Sequence, residues 1–137
     1  MPNQPITATG GCLCGGVRYE IRGPLRDVVA CHCSQCRRST GNFITATNAQ
    51  TTDFSLVAGA TLTWYRSSEG AERGFCSRCG SNLFWRHTAP DADHLAITAG
   101  SIDPPTHLRL TRHIFVASKS DYYDITDGLP QFAEWPQ

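Results

Sequence analysis

From Val17 the chain alternates in polarity, with Val17, Tyr19 and Ile21 set between Arg18, Glu20 and Arg22. That period of two is the mark of a strand with one face turned inward. The Gly23-Pro24 pair then interrupts it. Short strand-like runs recur at 27–31, 43–49, 54–57, 62–65, 72–76, 83–86, 94–98 and 114–117. Gly59 and Gly70 punctuate the middle, and Pro104-Pro105 precedes the last run. No segment sustains a 3.6-residue period. The nearest approaches to helix are a short turn over 33–38 and a second around 106–110. Many short strands separated by turn residues predict a mainly β fold. With no linker, internal repeat or low-complexity tract, the reading is one domain over residues 1–137, of which 1–9 form a loose N-terminal arm.

Composition narrows what such a domain can do. Its 137 residues fit one hydrophobic core. Twelve basic residues balance twelve acidic ones, which argues against an electrostatic nucleic-acid binder. Lys119 is the sole lysine, and the arginine bias suits two-pronged contact with a small carboxylate ligand. No basic segment followed by an apolar run opens the chain, and no apolar stretch approaches the roughly 20 residues of a membrane-spanning helix. The expectation is a soluble protein of the cytoplasm. Trp64, Tyr65, Phe84, Trp85, Phe115, Tyr122, Tyr123 and Trp135 lie mostly in strand-like runs and read as packing.

The chemistry lies in seven cysteines, arranged as Cys12-x-Cys14, Cys31-x-Cys33-x-x-Cys36 and Cys76-x-x-Cys79. An odd number crowded into close pairs argues against a disulfide framework and for reduced thiolates on metal. Residues two apart in an extended segment face one side, so Cys12 and Cys14 can reach one ion. Cys76-x-x-Cys79 followed by Gly80 reads as a tight turn that wraps two thiolates on one ion. Together these four can close a tetrahedral zinc site, the structural type. Cys31, Cys33 and Cys36 can hold a second zinc if a strand end turns into a helical turn at Ser34. The fourth position there could be water, a substrate sulfur, His32, His94, His107 or His113. His32 faces away if its two neighbours face the ion. A different distribution, with Cys31 or Cys33 joining the Cys76 pair, is the remaining alternative. Three sulfur donors weaken the Lewis acidity of zinc and fit thiol or alcohol chemistry at least as well as peptide or phosphate hydrolysis. The absence of a His-Glu-x-x-His run agrees.

Three segments together resemble the glutathione-dependent formaldehyde-activating enzyme family, which includes the centromere protein V group. They are residues 11–19 (Gly-Cys-Leu-Cys-Gly-Gly-Val-Arg-Tyr), residues 31–37 (Cys-His-Cys-Ser-Gln-Cys-Arg) and residues 76–80 (Cys-Ser-Arg-Cys-Gly). The tail, with His113-Ile114-Phe115, Lys119 and the run from Asp127 to Phe132, is similar to that family's C-terminal pattern. The resemblance covers residues 10–136. It implies several small antiparallel sheets in a β-tent with zinc-stabilised hairpins. It also implies structural zinc on Cys12, Cys14, Cys76 and Cys79, and catalytic zinc on Cys31, Cys33 and Cys36. The family's reaction joins formaldehyde to glutathione as S-hydroxymethylglutathione, which read backwards is carbon–sulfur lyase chemistry. On this reading glutathione is substrate or co-substrate. His32 and His94 are candidates for proton transfer, because an imidazole titrates near neutral pH. Arg37 and Arg38 are candidates for the glutathione carboxylates.

Fold does not fix function, and two rival classes stand beside the lyase. One is a non-enzymatic, zinc-supported protein-binding module. The other is a purely structural or metal-buffering role for the three-cysteine cluster.

Overall fold

The structure is a computed structural model and describes residues 4–136. Residues 1–3 of the expected arm lie outside the described residues. The fold is mainly β: ten strands and one seven-residue α-helix are present among the described residues. No helix among them is long and apolar enough to cross a membrane. The chain divides into two compact units. One comprises the residues up to Arg26 together with Thr47–His107, and the other Asp27–Ala46 and the chain from Leu108 on.

In the first unit β1 (Ala8–Gly11), β2 (Arg18–Ile21) and β5 (Phe54–Ala58) form a three-stranded sheet with β2 central and both pairings antiparallel. The alternation seen in the sequence is the cause of β2's placement, since Tyr19 and Ile21 are buried while Arg18 and Glu20 are not. Tyr19 stacks on Phe54 and meets Phe84 edge-on, and its hydroxyl lies 2.7 Å from Ser101 Oγ. The remaining strands of this unit are β6 (Leu62–Ser68), β7 (Ala71–Cys76), β8 (Asn82–His87) and β9 (His94–Thr98), joined by the second half of β4 (Ile44–Gln50). They run in the order β4-β9-β8-β7-β6. Leu83, Phe84, Leu95 and Ile97 fill the core here. Gly74 lies under Trp64 and Phe84, where an added Cβ would press on both rings.

The supposed loose arm is tied down at its end. The Thr7 amide donates to the Ile21 carbonyl (2.8 Å), and Thr9 Oγ1 donates to Asp103 (2.7 Å). Asp103 also receives both terminal nitrogens of Arg18, the closer at 2.5 Å.

In the second unit β3 (Val28–Cys31) is flanked by the first half of β4, antiparallel, and by β10 (Leu110–Ile114), parallel. The parallel pair is one exception to the expected antiparallel sheets. The helix α1 (Ser34–Thr40) follows β3 directly. Seven residues are too few for a helix to stand alone in water. The Cys33 sulfur, which accepts from the Cys36 amide, caps its start, and Gly41 in the left-handed region (φ 85°) closes its end.

Two sequence expectations fail in this unit. Residues 106–110 are not helical: the Arg109 carbonyl accepts from Val28, and Leu110 opens β10. Long-range strand pairing has overridden the local preference. The run 114–117 is not a strand either. β10 ends at Ile114, Phe115 turns into the left-handed region (φ 56°), and a single 3₁₀ turn covers Val116–Ser118. The tail supplies the backbone partners there, with Phe115, Val116 and Ala117 donating to Glu134, Phe132 and Ala133.

Candidate metal and active site

Within the first unit the four sulfurs of Cys12, Cys14, Cys76 and Cys79 lie within 4.8 Å of one another. Cys12 and Cys14 are 3.6 Å apart and Cys14 and Cys76 3.7 Å. Four sulfurs each about 2.3 Å from one tetrahedral zinc would be separated by roughly 3.8 Å, so the set fits that ion. Two turns bring the pairs together. Gly15 (φ 81°) and Gly80 (φ 79°) adopt the left-handed region just after Cys14 and Cys79, where a Cβ is costly. The Gly80 amide closes the second turn on the Cys76 carbonyl at 2.7 Å.

Donors surround these sulfurs. The Val17 amide donates to Cys12 Sγ (3.2 Å), the Cys79 amide to Cys76 Sγ (3.4 Å) and Arg78 Nε to Cys14 Sγ (3.3 Å). Ser81 Oγ accepts from the Leu13 amide (3.0 Å) and lies 3.1 Å from Cys79 Sγ, so it links the two turns. The Ser81 hydroxyl and amide hold the Cys79 thiol down to about 5, and the Thr61 hydroxyl, 3.3 Å from the sulfur, lowers that of Cys76. Burial, in contrast, raises the Cys12 thiol, so hydrogen bonding favours the thiolate at the Cys76-x-x-Cys79 turn in particular. Thr61, Arg78 and Ser81 carried no sequence signal, because nothing in their spacing announces a partner to sulfur.

The second unit holds the other three sulfurs, Cys31, Cys33 and Cys36, also within 4.8 Å of one another. Among the described residues no fourth histidine, cysteine or carboxylate ligand atom joins this group. Cys31 ends β3, Cys33 caps α1, and Cys36 is buried on the helix's first turn. Hydrogen bonds from Cys31 and Cys36, with the Cys36 and Gln35 amides, push the Cys33 thiol far down. Hydrogen bonds with Cys33 and Cys36, and then burial, push the Cys31 thiol up. Of these two thiols, Cys33 is the one its surroundings favour as thiolate. A soft donor set of this kind suits zinc.

The histidines lie elsewhere than on sulfur. His32, buried between Cys31 and Cys33, uses both ring nitrogens: Nε2 is 2.9 Å from His113 Nδ1, and Nδ1 is 3.0 Å from the Tyr123 hydroxyl. His113 Nε2 is 2.7 Å from Asp127 Oδ2. Phe43 packs on His32 at 4.6 Å between ring centroids, and the Lys119 ammonium sits 4.4 Å from the Tyr123 ring centre. Burial, then the His113 and Lys119 charges, lowers the pKa of His32. Asp127 is held below the ordinary carboxylate range by the Leu129 amide and His113.

Sequence reasoning treated Tyr123 as packing and Asp127 as part of a turn. Their partnership with His32 spans 91 residues for Tyr123, and no local pattern reports such a distance. His94 lies in the first unit, exposed, with Nδ1 2.6 Å from Asp93, and His107 is exposed as well. On α1, Arg38 is exposed, while Arg37 is half-buried and its Nε is enclosed without a hydrogen-bond partner among the described residues.

The family model for the glutathione-dependent formaldehyde-activating enzyme matches residues 7–118. The chain belongs to this family. The match takes in all three cysteine segments of this formaldehyde-activating family member, and Lys119 and Asp127 fall just beyond it. A Halomonas elongata protein, provisionally named a glutathione-dependent formaldehyde-activating enzyme, is 31% identical, over 92% of this chain and 92% of its own. An uncharacterized lyase of Schizosaccharomyces pombe is 25% identical, over 90% of this chain and 88% of its own. A crystal structure of a Rhodobacter sphaeroides protein superposes with a TM-score of 0.57 at 24% identity, covering 90% of this chain and 98% of that one. It bears on the fold of the family member alone.

Proposed function

We propose that this chain is a zinc-dependent carbon–sulfur lyase of the formaldehyde-activating type, which forms or splits a thiol–formaldehyde adduct with glutathione as the favoured thiol. In the joining direction the thiol sulfur bonds to the carbonyl carbon, the thiol loses its proton, and the carbonyl oxygen ends as a hydroxyl. In the splitting direction the carbon–sulfur bond breaks, the hydroxyl loses its proton, and the sulfur regains one.

The observation that carries the reading is the unequal pair of sulfur clusters, four thiols in one and three in the other, in a chain of this family. Cys12, Cys14, Cys76 and Cys79 would hold a structural zinc, and Cys31, Cys33 and Cys36 a second. When bound, a zinc with three protein thiolates and a free position keeps an incoming thiol ionised near neutral pH. The chain's own residues bind and orient. Arg37, with its unpartnered Nε, and Arg38 would meet a carboxylate of glutathione. His32 has no ring nitrogen to spare, so any part it takes in proton transfer runs through Tyr123. His94, engaged by Asp93, is given no step. Thiolate sites of this kind belong in a reducing compartment such as the cytoplasm.

The test compares wild-type and Cys33→Ala protein by metal analysis, thermal unfolding and NMR exchange between glutathione, formaldehyde and their adduct. The expected outcome is loss of one of two zinc equivalents and a fall in catalysed exchange of roughly 100-fold or more, with the unfolding temperature nearly kept. Unchanged exchange in the variant sinks the reading and leaves the protein-binding module in its place.

A further inference from the structure

The chain Asp127–His113–His32–Tyr123 is a polar row whose middle is buried, between an exposed carboxylate at one end and a half-buried phenol at the other. Its two imidazoles are 1% and 4% exposed, and buried polar groups of this kind are retained only when each is satisfied. Donors and acceptors can be assigned from one end. The Asp127 carboxylate can only accept, and it takes a hydrogen from His113 Nε2 at 2.7 Å. A neutral His113 then has only a lone pair at Nδ1, so His32 must donate from Nε2 across 2.9 Å. That leaves His32 Nδ1 as an acceptor, and the Tyr123 hydroxyl gives its one hydrogen there at 3.0 Å. With both imidazoles neutral, each step follows from the one before it. The Tyr123 oxygen, its hydrogen committed inward, presents only lone pairs outward.

Tyr123 stands beside both segments that carry the three thiols. It is one hydrogen bond from the residue between Cys31 and Cys33. Its ring is 6.2 Å from that of Phe43, which follows the end of α1, and Tyr122 Oη reaches the Gly41 carbonyl and Asn42 Oδ1 at 3.4 Å each. Tyr123 is half-buried.

We propose that Tyr123 is a specificity-determining residue of the three-cysteine site: its hydroxyl, fixed as an acceptor by His32, His113 and Asp127, takes a hydrogen bond from the hydroxyl of a hydroxymethyl thiol adduct. The site thereby distinguishes the adduct, which has a donor at that position, from a free thiol or an alkyl thioether, which has none. His32, His113 and Asp127 act as positioning residues. This inference rests on the thiol–formaldehyde reading of the same site.

The experiment uses the zinc-loaded protein above pH 7.5, where an unperturbed imidazole is neutral. The KM for S-hydroxymethylglutathione in the splitting direction is compared with the inhibition constant of S-ethylglutathione, an isostere without the hydroxyl. In Tyr123→Phe the first should rise about 5- to 10-fold, the worth of one hydrogen bond, while the second changes less than 2-fold. His113→Phe should produce the same split, and the double variant should be no worse than either single one. Nitrogen-15 spectra should report His32 as the Nε2–H tautomer in the wild type. An unchanged ratio of the two constants in Tyr123→Phe overturns the inference, as does an Nδ1–H tautomer at His32. Should His113→Phe fail to fold, Tyr123→Phe and the wild-type spectrum decide alone. If Cys33→Ala keeps full exchange, the functional reading fails. If it loses exchange while Tyr123→Phe keeps the ratio, only this inference does.

Discussion

The four-sulfur cluster and the three-sulfur cluster are built from the same side chain, yet they are surrounded differently. Around Cys12, Cys14, Cys76 and Cys79 the partners are backbone amides and short hydroxyls of adjacent turns, with Arg78 laid on one sulfur. All of these either supply hydrogen bonds to thiolates or offset their charge. Around Cys31, Cys33 and Cys36 the supporting groups are a helix cap and, linked to His32, a row of titratable side chains drawn from positions 113, 123 and 127, of which His113 is buried. Buried imidazoles are costly to keep when a leucine would fill the space. The contrast teaches that the four sulfurs are served by donors of their own turns, whereas the three are flanked by a polar row assembled from distant parts of the chain.

The largest effect that could break this contrast comes from the complete cluster. Cys76→Ser should remove its zinc and destabilise the protein by at least about 3 kcal/mol, or about 10 °C in unfolding temperature. Differential scanning calorimetry with metal analysis checks this. If Cys33→Ala costs as much stability as Cys76→Ser, the division of labour is lost.

A middle-sized effect is expected at Arg78, which donates to Cys14 Sγ at 3.3 Å. Arg78→Ala should weaken zinc retention about 10-fold, as removal of an outer partner commonly does, and leave adduct exchange unchanged. Chelator competition measures the first and NMR exchange the second.

The smallest effect concerns Asp103, held below its ordinary value of 3.8 chiefly by Arg18, with Thr9 adding a further hydrogen bond. Between that ordinary value and the depressed one, the unfolded chain binds more protons than the folded chain. The contact's stabilisation is therefore whole above about pH 4 and is lost as pH falls through the folded value. Both partners are half-exposed, so Asp103→Asn should cost less than about 1 kcal/mol at pH 7, with the difference from wild type shrinking in acid. Unfolding curves from pH 7 to pH 3 test this. A loss of exchange activity in this variant would blur the line between the two clusters.

Much of the molecule was legible before any coordinates. The alternation of Val17, Tyr19 and Ile21 placed β2, because a pleated strand puts successive side chains on opposite faces and only one face was apolar. The cysteine spacings named both sulfur groups, because a turn of two residues is short enough to bring two sulfurs onto one ion. Gly80 was readable for the same local reason: its left-handed conformation (φ 79°) follows at once from the turn it closes. Family membership too is carried by those short segments.

Tertiary structure alone decided what no local pattern encodes. Residues 106–110 became the approach to a strand because Val28 offered a backbone partner, and the run 114–117 ended in a turn because the tail took its hydrogen bonds. Above all, the sequence determined that Cys31, Cys33 and Cys36 can share one centre. Only the fold brought Tyr123, His113 and Asp127 to stand in line behind His32. Hydrogen bonds between residues 14 to 91 positions apart depend on how strands and tail pack, and packing is a property of the whole chain rather than of any window in it.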